Sequence, residues 1–220
     1  MTIRIAIVDD QSLVRLGFRM VLEAEEGVAV VAEASDGAEA VALAARGGID
    51  IVLMDVRMPG LDGIAATERI SAAGPLPKVL VLTTFDLDEY AYAALRAGAS
   101  GFLLKDARPA ELLAAIRAVH AGDAALAPTV TRRMLERFAS SAPAAGEAER
   151  DEAALAVLTP REREFLVAIA EGDSNDELAA RFVLSESTVK THVGRLLRKL
   201  GARDRVQLVI LAYELGLVGR

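Results

Sequence analysis

Asp9-Asp10, Asp55, Thr83-Thr84 and Lys105 each stand directly behind a short apolar run: Ile3–Val8, Ile51–Met54, Val79–Leu82 and Phe102–Leu104. Gathered in one place, these side chains amount to three carboxylates, a hydroxyl and an ammonium. Like-charged carboxylates destabilise one another unless a cation stands between them. An all-oxygen set with room for water suits a hard ion such as Mg²⁺. That ion, Thr83 and Lys105 can together neutralise an incoming phosphoryl group. One carboxylate can then act as nucleophile and form an aspartyl phosphate. Asp55 is the natural choice, because it ends the middle strand.

Each residue taken singly also has a plainer role. Asp10 can be a helix N-cap, Thr83 can cap the next turn, and Lys105 can be a surface lysine. Asp55 resists such a reading, because an acid directly after Ile51-Val52-Leu53-Met54 is costly unless it is paired or used.

The elements that must position these residues alternate strand and helix. Strands are expected over Ile3–Val8, Val28–Ala32, Ile51–Met54, Val79–Leu82 and Phe102–Leu104. Helices are expected over Gln11–Glu25, Asp36–Arg46, Asp62–Ala72, Leu87–Ala97 and Pro109–Ala121, with Asp36 as an N-cap and Gly98 and Gly122 as stops. Strands this apolar are buried on both faces, as in a parallel sheet covered by helices. The expected fold is α/β, a doubly wound five-stranded parallel sheet. Ligands bind such sheets at the carboxyl ends of the strands, near a topological switch point.

Asp9-Asp10, Leu53-Met54-Asp55-Val56-Arg57-Met58-Pro59-Gly60-Leu61-Asp62-Gly63, Leu82-Thr83-Thr84-Phe85-Asp86 and Gly98-Ala99-Ser100-Gly101-Phe102-Leu103-Leu104-Lys105-Asp106 resemble the receiver domain of bacterial two-component response regulators. The resemblance covers residues 3–121 and implies a flavodoxin-like fold. It implies that Asp55 accepts phosphate from a sensor histidine kinase. Asp9 and Asp10 would hold Mg²⁺ with Asp55 and the backbone carbonyl of Arg57. Thr83 and Lys105 would contact the phosphoryl group. Phe102 would be the switch aromatic, though it reads equally as a plain core residue.

The charge of −7 is unevenly placed: residues 1–128 carry net −7, 129–157 net −1 and 158–220 net +1. Lys190, Arg195, Arg198, Lys199, Arg203 and Arg205 form a local basic stripe against Glu186 and Asp204. Two domains with different partners are expected. Residues 139–153 are small and charged with no sustained apolar face, which reads as a linker. Thr129–Phe138 can form a short helix. The expected boundaries are a receiver over 1–122, a linker over 123–157 and a DNA-binding domain over 158–220.

The last part reads as all-helical. Thr159-Pro160-Arg161-Glu162 and Ser174-Asn175-Asp176-Glu177 are capping boxes. They open helices running to about Glu171 and to Phe182. A tight turn through Val183-Leu184 leads to Ser185, N-cap of a third helix ending at Leu200, and a fourth spans about Asp204–Leu215. Helices joined by such a turn make a helix-turn-helix. Val189, Val193, Leu196 and Leu200 form the core stripe of the third helix. Its other face carries Ser187, Lys190, Thr191, Gly194 and Arg198, with Arg195 flanking, basic and short-chained as a major-groove helix requires. His192 lies at the margin, as a packing or phosphate-contact residue. The fourth helix has two apolar stripes, Val206/Val209/Ile210/Tyr213 and Leu208/Leu211/Leu215. The surplus stripe points to a partner helix, hence a homodimer.

Leu158-Thr159-Pro160-Arg161-Glu162-Arg163-Glu164, Ser174-Asn175, Ser187-Thr188-Val189-Lys190-Thr191-His192-Val193 and Lys199-Leu200 resemble the LuxR-type helix-turn-helix. The whole chain then resembles the NarL/FixJ subfamily of response regulators. It departs from the family pattern at Asp173 and Leu178, and Gly194 is small where some members place a contacting side chain. The resemblance implies a regulator of transcription and not an enzyme. Its partners would be a histidine kinase, double-stranded DNA, a second copy when active and RNA polymerase.

Two other classes fit less well. A DNA binder whose receiver serves only as a docking or dimerisation module leaves the Asp9/Asp10/Asp55/Thr83/Lys105 set unused. A flavin binder needs a phosphate loop where Asp9-Asp10 repels phosphate, and a phosphohydrolase needs a second acid–base group that Val56 and Arg57 do not supply. Cysteine is absent, which excludes disulfides and thiolate sites, and the two histidines, His120 and His192, are far apart. No apolar run reaches the roughly 18 residues of a membrane span. The N-terminus lacks a signal-peptide pattern, so the expected location is the cytoplasm.

Overall fold

The computed structural model describes residues 2–83, 87–122, 125–126 and 156–218. They belong to two compact units, 1–130 and 131–220. Most of the expected linker and the whole of the Thr129–Phe138 helix lie outside the described residues, as do Thr84, Phe85 and Asp86.

The first unit alternates β1 (Ile3–Val8), α1 (Ser12–Glu23), β2 (Val28–Ala34), α2 (Gly37–Ala45), β3 (Ile51–Asp55), α3 (Gly63–Ala73), β4 (Lys78–Thr83), α4 (Leu87–Arg96), β5 (Gly101–Leu104) and α5 (Pro109–Ala121). All strand pairs are parallel, in the order β2-β1-β3-β4-β5. A two-residue strand β6 (Ala125–Leu126) adds parallel to β5 at the edge, which composition alone did not signal. Strand alternation sends Ile5, Ile7, Ile51, Leu53, Leu80 and Leu82 to one face, where they bury with Leu22 of α1 and Leu112, Ile116 and Val119 of α5. Ala6, Val52, Met54, Val79, Val81 and Phe102, also buried, occupy the opposite face. Because β1 lies between β2 and β3, the chain reverses its winding direction there. The carboxyl ends of β1 and β3 thus flank the switch point.

β2 contains a bulge. Ile5 pairs with Val30, but Ala6 pairs with Ala32, so Val31 is the extra residue. Beyond it Glu33 is opposite Ile7 and shares its face, the one α1 covers.

The second unit consists of α6 (Pro160–Ala170), α7 (Asn175–Phe182), α8 (Glu186–Leu200) and α9 (Arg205–Glu214). Thr159, Ser174, Ser185 and Asp204 cap them, each accepting a hydrogen bond from the backbone three residues on. The core joins Leu158, Phe165, Leu166, Ile169, Leu178, Val189, Leu196, Leu208 and Ala212. Val183 ends α7 at φ 55, in the left-handed region, and is 88% exposed. A β-branched residue there is strained and gains no burial in return. Lys199 Nζ ties the end of α8 to the start of α6, reaching Glu162 Oε2 at 2.7 Å and Val157 O at 3.1 Å.

Two stability changes are expected. Val183→Asn should stabilise the second unit by about 1 kcal/mol, seen as a higher urea midpoint, because Asn tolerates left-handed backbone. Glu162 is held at about 2, below its usual 4.5, by Lys199 first and the Thr159 backbone N–H next. A depressed folded pKa gives stability that is present above pH 4.5 and lost as pH falls toward 2. Lys199 is 38% exposed, so solvent screening limits this to about 1 kcal/mol. The stability gap between wild type and Glu162→Gln should therefore be open at pH 6 and close toward pH 2–3 in urea titrations.

Candidate functional site

The ends of β1, β3, β4 and β5 bring Asp9, Asp55, Thr83 and Lys105 together. Asp9, Asp55 and Thr83 are all buried. Lys105 Nζ lies 2.6 Å from Asp9 Oδ2 and 2.9 Å from Asp55 Oδ2. Asp10 is exposed and does not cap α1; Gln11 holds that position with no side-chain cap bond. One carboxylate oxygen from each of Asp9, Asp10 and Asp55 lies within 4.8 Å of the others. A crevice of about 530 Å³ opens over them, walled by Asp10, Gln11, Asp55, Arg57, Met58, Tyr90 and Lys105.

Three carboxylates face one ammonium, so the cluster carries excess negative charge. Burial pushes Asp55 above the usual carboxylate value, with Lys105 pulling against it and Asp9 adding repulsion; the Arg57 backbone N–H also hydrogen-bonds this carboxylate. Burial works against the charge on Lys105, yet its bonds to Asp9 and Asp55 outweigh that and raise it above the ordinary lysine value. Asp9 Oδ2 is ion-paired but accepts no well-angled hydrogen bond. An oxygen-only donor set with an under-satisfied buried oxygen fits a hard divalent cation.

The β3–α3 loop fixes this crevice. Asp62 caps α3 by accepting from the Ala65 N–H, and Gly63 N–H donates to Val56 O. A Cβ on Gly63 would stand 1.8 Å from the Asp55 carbonyl oxygen, and one on Gly37 would stand 2.4 Å from Leu61 O. Both glycines are present because backbone fills the space of a side chain. Their positioning role went unread in the sequence, although Leu61-Asp62-Gly63 was visible. Phe102 is buried and lies inward, on the sheet face it shares with Val81.

In the second unit α8 presents Ser187, Lys190, Thr191, Arg195 and Arg198 to solvent. Lys190 pairs with Glu186 at 2.6 Å on the exposed side of the helix, and the Thr191 hydroxyl donates to Ser187 O. Gly194 is half-buried with open space where a Cβ would be. The His192 ring stacks on Phe165 at 4.7 Å, and Phe165 stacks on Phe182 at 4.1 Å. The structure thus puts His192 with the packing residues and takes its ring off the outer face.

Two expectations need correction. Leu208 does not belong to a surplus stripe: it is fully buried in the unit's own core, because α9 turns that side toward α6. Leu211 and Leu215 remain half-buried. Arg205 does not extend the basic stripe: it is buried, bonding Asn175 Oδ1 and the Asp173 carbonyl. A groove of about 730 Å³ beside Leu158, Arg161, Val167 and Phe182 is larger than the crevice, but it gathers no comparable set of reactive groups.

Residues 5–117 match the response regulator receiver domain, and residues 156–212 match the bacterial regulatory proteins of the luxR family. The chain is 43% identical over 216 residues to the uncharacterized transcriptional regulatory protein YxjL of Bacillus subtilis, covering 98% of this chain and 97% of that one. It is 40% identical to the transcriptional regulatory protein LiaR of the same organism, over 98% of this chain and 99% of the relative. The chain is a two-component response regulator. Among solved structures, the response regulator ChrA of a heme-sensing two-component system aligns over 99% of both chains at 39% identity and a TM-score of 0.53. A complex of the response regulator RcsB with DNA aligns over 97% of this chain and 99% of that one, at 25% identity and a TM-score of 0.57. The family regulates transcription and is not a classical enzyme family. Among the described residues of this response regulator, no helix is long and apolar enough to cross a membrane.

Gly63→Ala should force the Asp55 carbonyl and the β3–α3 loop to move, at a cost of about 1–3 kcal/mol. Urea unfolding and amide shifts in residues 55–63 would check this, with unchanged shifts in 186–200 as the internal control.

Proposed function

We propose that the receiver spans 1–122, that 123–157 links it to a DNA-binding domain at 158–220, and that phosphorylation of Asp55 controls DNA binding. The observation that carries this reading is the Lys105 ammonium shared between buried Asp9 and Asp55 beneath an open crevice. In the transfer step an Asp55 Oδ atom forms a bond to phosphorus as the P–N bond of a histidine kinase's phosphohistidine breaks, and the imidazole leaves. Asp9, Asp10 and Asp55, with the Arg57 carbonyl, would hold Mg²⁺, which supplies charge neutralisation for the phosphoryl oxygens. Lys105 holds a further positive charge beside the acceptor, and the Thr83 hydroxyl meets a phosphoryl oxygen. Phe102, on the sheet face that Val81 and Thr83 share, would respond to a shift of Thr83.

The outer face of α8 supplies the DNA contacts. Lys190, Arg195 and Arg198 reach phosphates or guanine edges, Ser187 and Thr191 add short polar contacts, and Gly194 lets the backbone approach the groove. His192 shapes the helix seat through its stack on Phe165. Leu211 and Leu215 join the α9 helices of two copies once the receiver is phosphorylated. Support for pairing comes from RcsB, which has been described as two dimers bound to two parallel DNAs. The protein works in the cytoplasm, where it meets kinase, DNA and RNA polymerase.

The test selects random duplex DNA with the full chain, with and without an acyl phosphate and Mg²⁺. A donor-dependent gain of about tenfold, or about 1.4 kcal/mol, is expected, and Asp55→Asn should abolish it. Equal binding in every condition would instead favour a receiver that acts without phosphate.

A further inference from the structure

Asp9 is fixed at four points. Its backbone N–H donates to Ala34 O, Oδ1 accepts from the Gln11 N–H at 2.9 Å, and Oδ2 meets Lys105. The fourth point comes from α1: Arg15 Nη1 donates to the Asp9 carbonyl at 2.6 Å. Arg15 is itself aimed by Glu33, whose Oε2 accepts from Arg15 Nε at 3.1 Å. Glu33 can reach it only because the bulge at Val31 turns Glu33 onto the face covered by α1. Arg19 pairs with the same Glu33 and with Glu23, but makes no bond to Asp9.

A guanidinium offers several donors in a rigid planar fork. Arg15 uses that geometry to span Glu33 and the Asp9 carbonyl at once. The side chain is 17% exposed, so the bond to the carbonyl is partly shielded from water. Its target is the peptide at which β1 turns into the Asp9-Asp10-Gln11 segment, so fixing that carbonyl fixes the direction of both carboxylates.

We propose that Arg15 is a positioning residue of the phosphoacceptor site. Held by Glu33, it keeps the Asp9-Asp10 turn in the orientation that receives a divalent cation. The inference rests on the reading of Asp9 and Asp10 as cation ligands. Groups that orient metal ligands from outside typically change metal affinity about 10–100-fold when removed.

The experiment titrates Mg²⁺ into the full chain, follows backbone amide shifts of residues 9–12 and 55–57, and measures thermal unfolding of each variant. Arg15→Ala should raise the Mg²⁺ half-saturation about tenfold. Arg19→Ala breaks an ion pair to the same Glu33 but should leave Mg²⁺ binding unchanged, which separates positioning from general loss of stability. Glu33→Gln should give an intermediate rise. If Arg15→Ala fails to fold, Arg15→Lys carries the test, since an ammonium cannot bridge Glu33 and the Asp9 carbonyl with the same fork. Unchanged half-saturation in the folded Arg15 variant, or equal weakening by Arg19→Ala, would overturn the proposal. Wild-type protein that binds no Mg²⁺ at these residues would instead overturn the cation reading on which it rests.

Discussion

Two buried carboxylates share one ammonium at the carboxyl edge of the first unit's sheet. Isolated charges cannot be buried at tolerable cost, but paired and hydrogen-bonded ones can. Lys105 therefore keeps β1, β3 and β5 in register at their ends, since Asp9, Asp55 and its own backbone must all converge. The single positive charge does not balance Asp9, Asp10 and Asp55. That deficit makes the crevice receptive to a cation. Under the proposed function, a cation bound there would in turn make it receptive to a phosphoryl group, so that stability and reactivity would share one origin.

The surrounding backbone serves that arrangement. Gly63 and Gly37 let the β3–α3 loop lie directly against its neighbours, and Arg15 anchors the other side through the Asp9 carbonyl. The second unit solves a different problem, keeping one helix face clear. Its caps, the Lys199–Glu162 tie, buried Arg205 and the Phe182–Phe165–His192 stack all lie behind or beside α8. Their joint effect is that Lys190, Arg195 and Arg198 point outward from a firmly seated helix.

Much of this was legible in the residues. The βα alternation follows from apolar runs of strand length, and parallel winding then requires Asp9, Asp55, Thr83 and Lys105 to meet. The capping boxes at Thr159 and Ser174 placed α6 and α7 to within a residue or so, because capping is a local interaction. What escaped was decided over long range. Nothing local to Glu33 announces a bulge that reverses its face, and nothing near Arg205 says that Asn175 and the Asp173 carbonyl will enclose it. Leu208 was misread because an apolar stripe on a helix does not say which neighbour covers it. Asp173, unusual for its position, is explained by its pair with Arg181 at 2.9 Å.

The relocation of Arg205 and Lys199 into structural roles also bears on how DNA binding can be controlled. A linear count of the 158–220 segment gives ten basic groups, yet several of them hold the unit together. Arg181 pairs with Glu171 and Asp173, Lys199 with Glu162, and Arg205 lies buried. On α8 the outward cations reduce to Lys190, Arg195 and Arg198, and Lys190 must first leave Glu186. Each phosphate contact contributes a salt-dependent increment through counterion release, with a slope of about −0.9 per phosphate. With so few outward cations on its recognition helix, one copy gains little from the backbone, while two copies joined through α9 as proposed would double the contacts and add effective concentration. A unit built this way is poorly suited to hold DNA singly, so under the proposed function pairing would be the physically effective point of control.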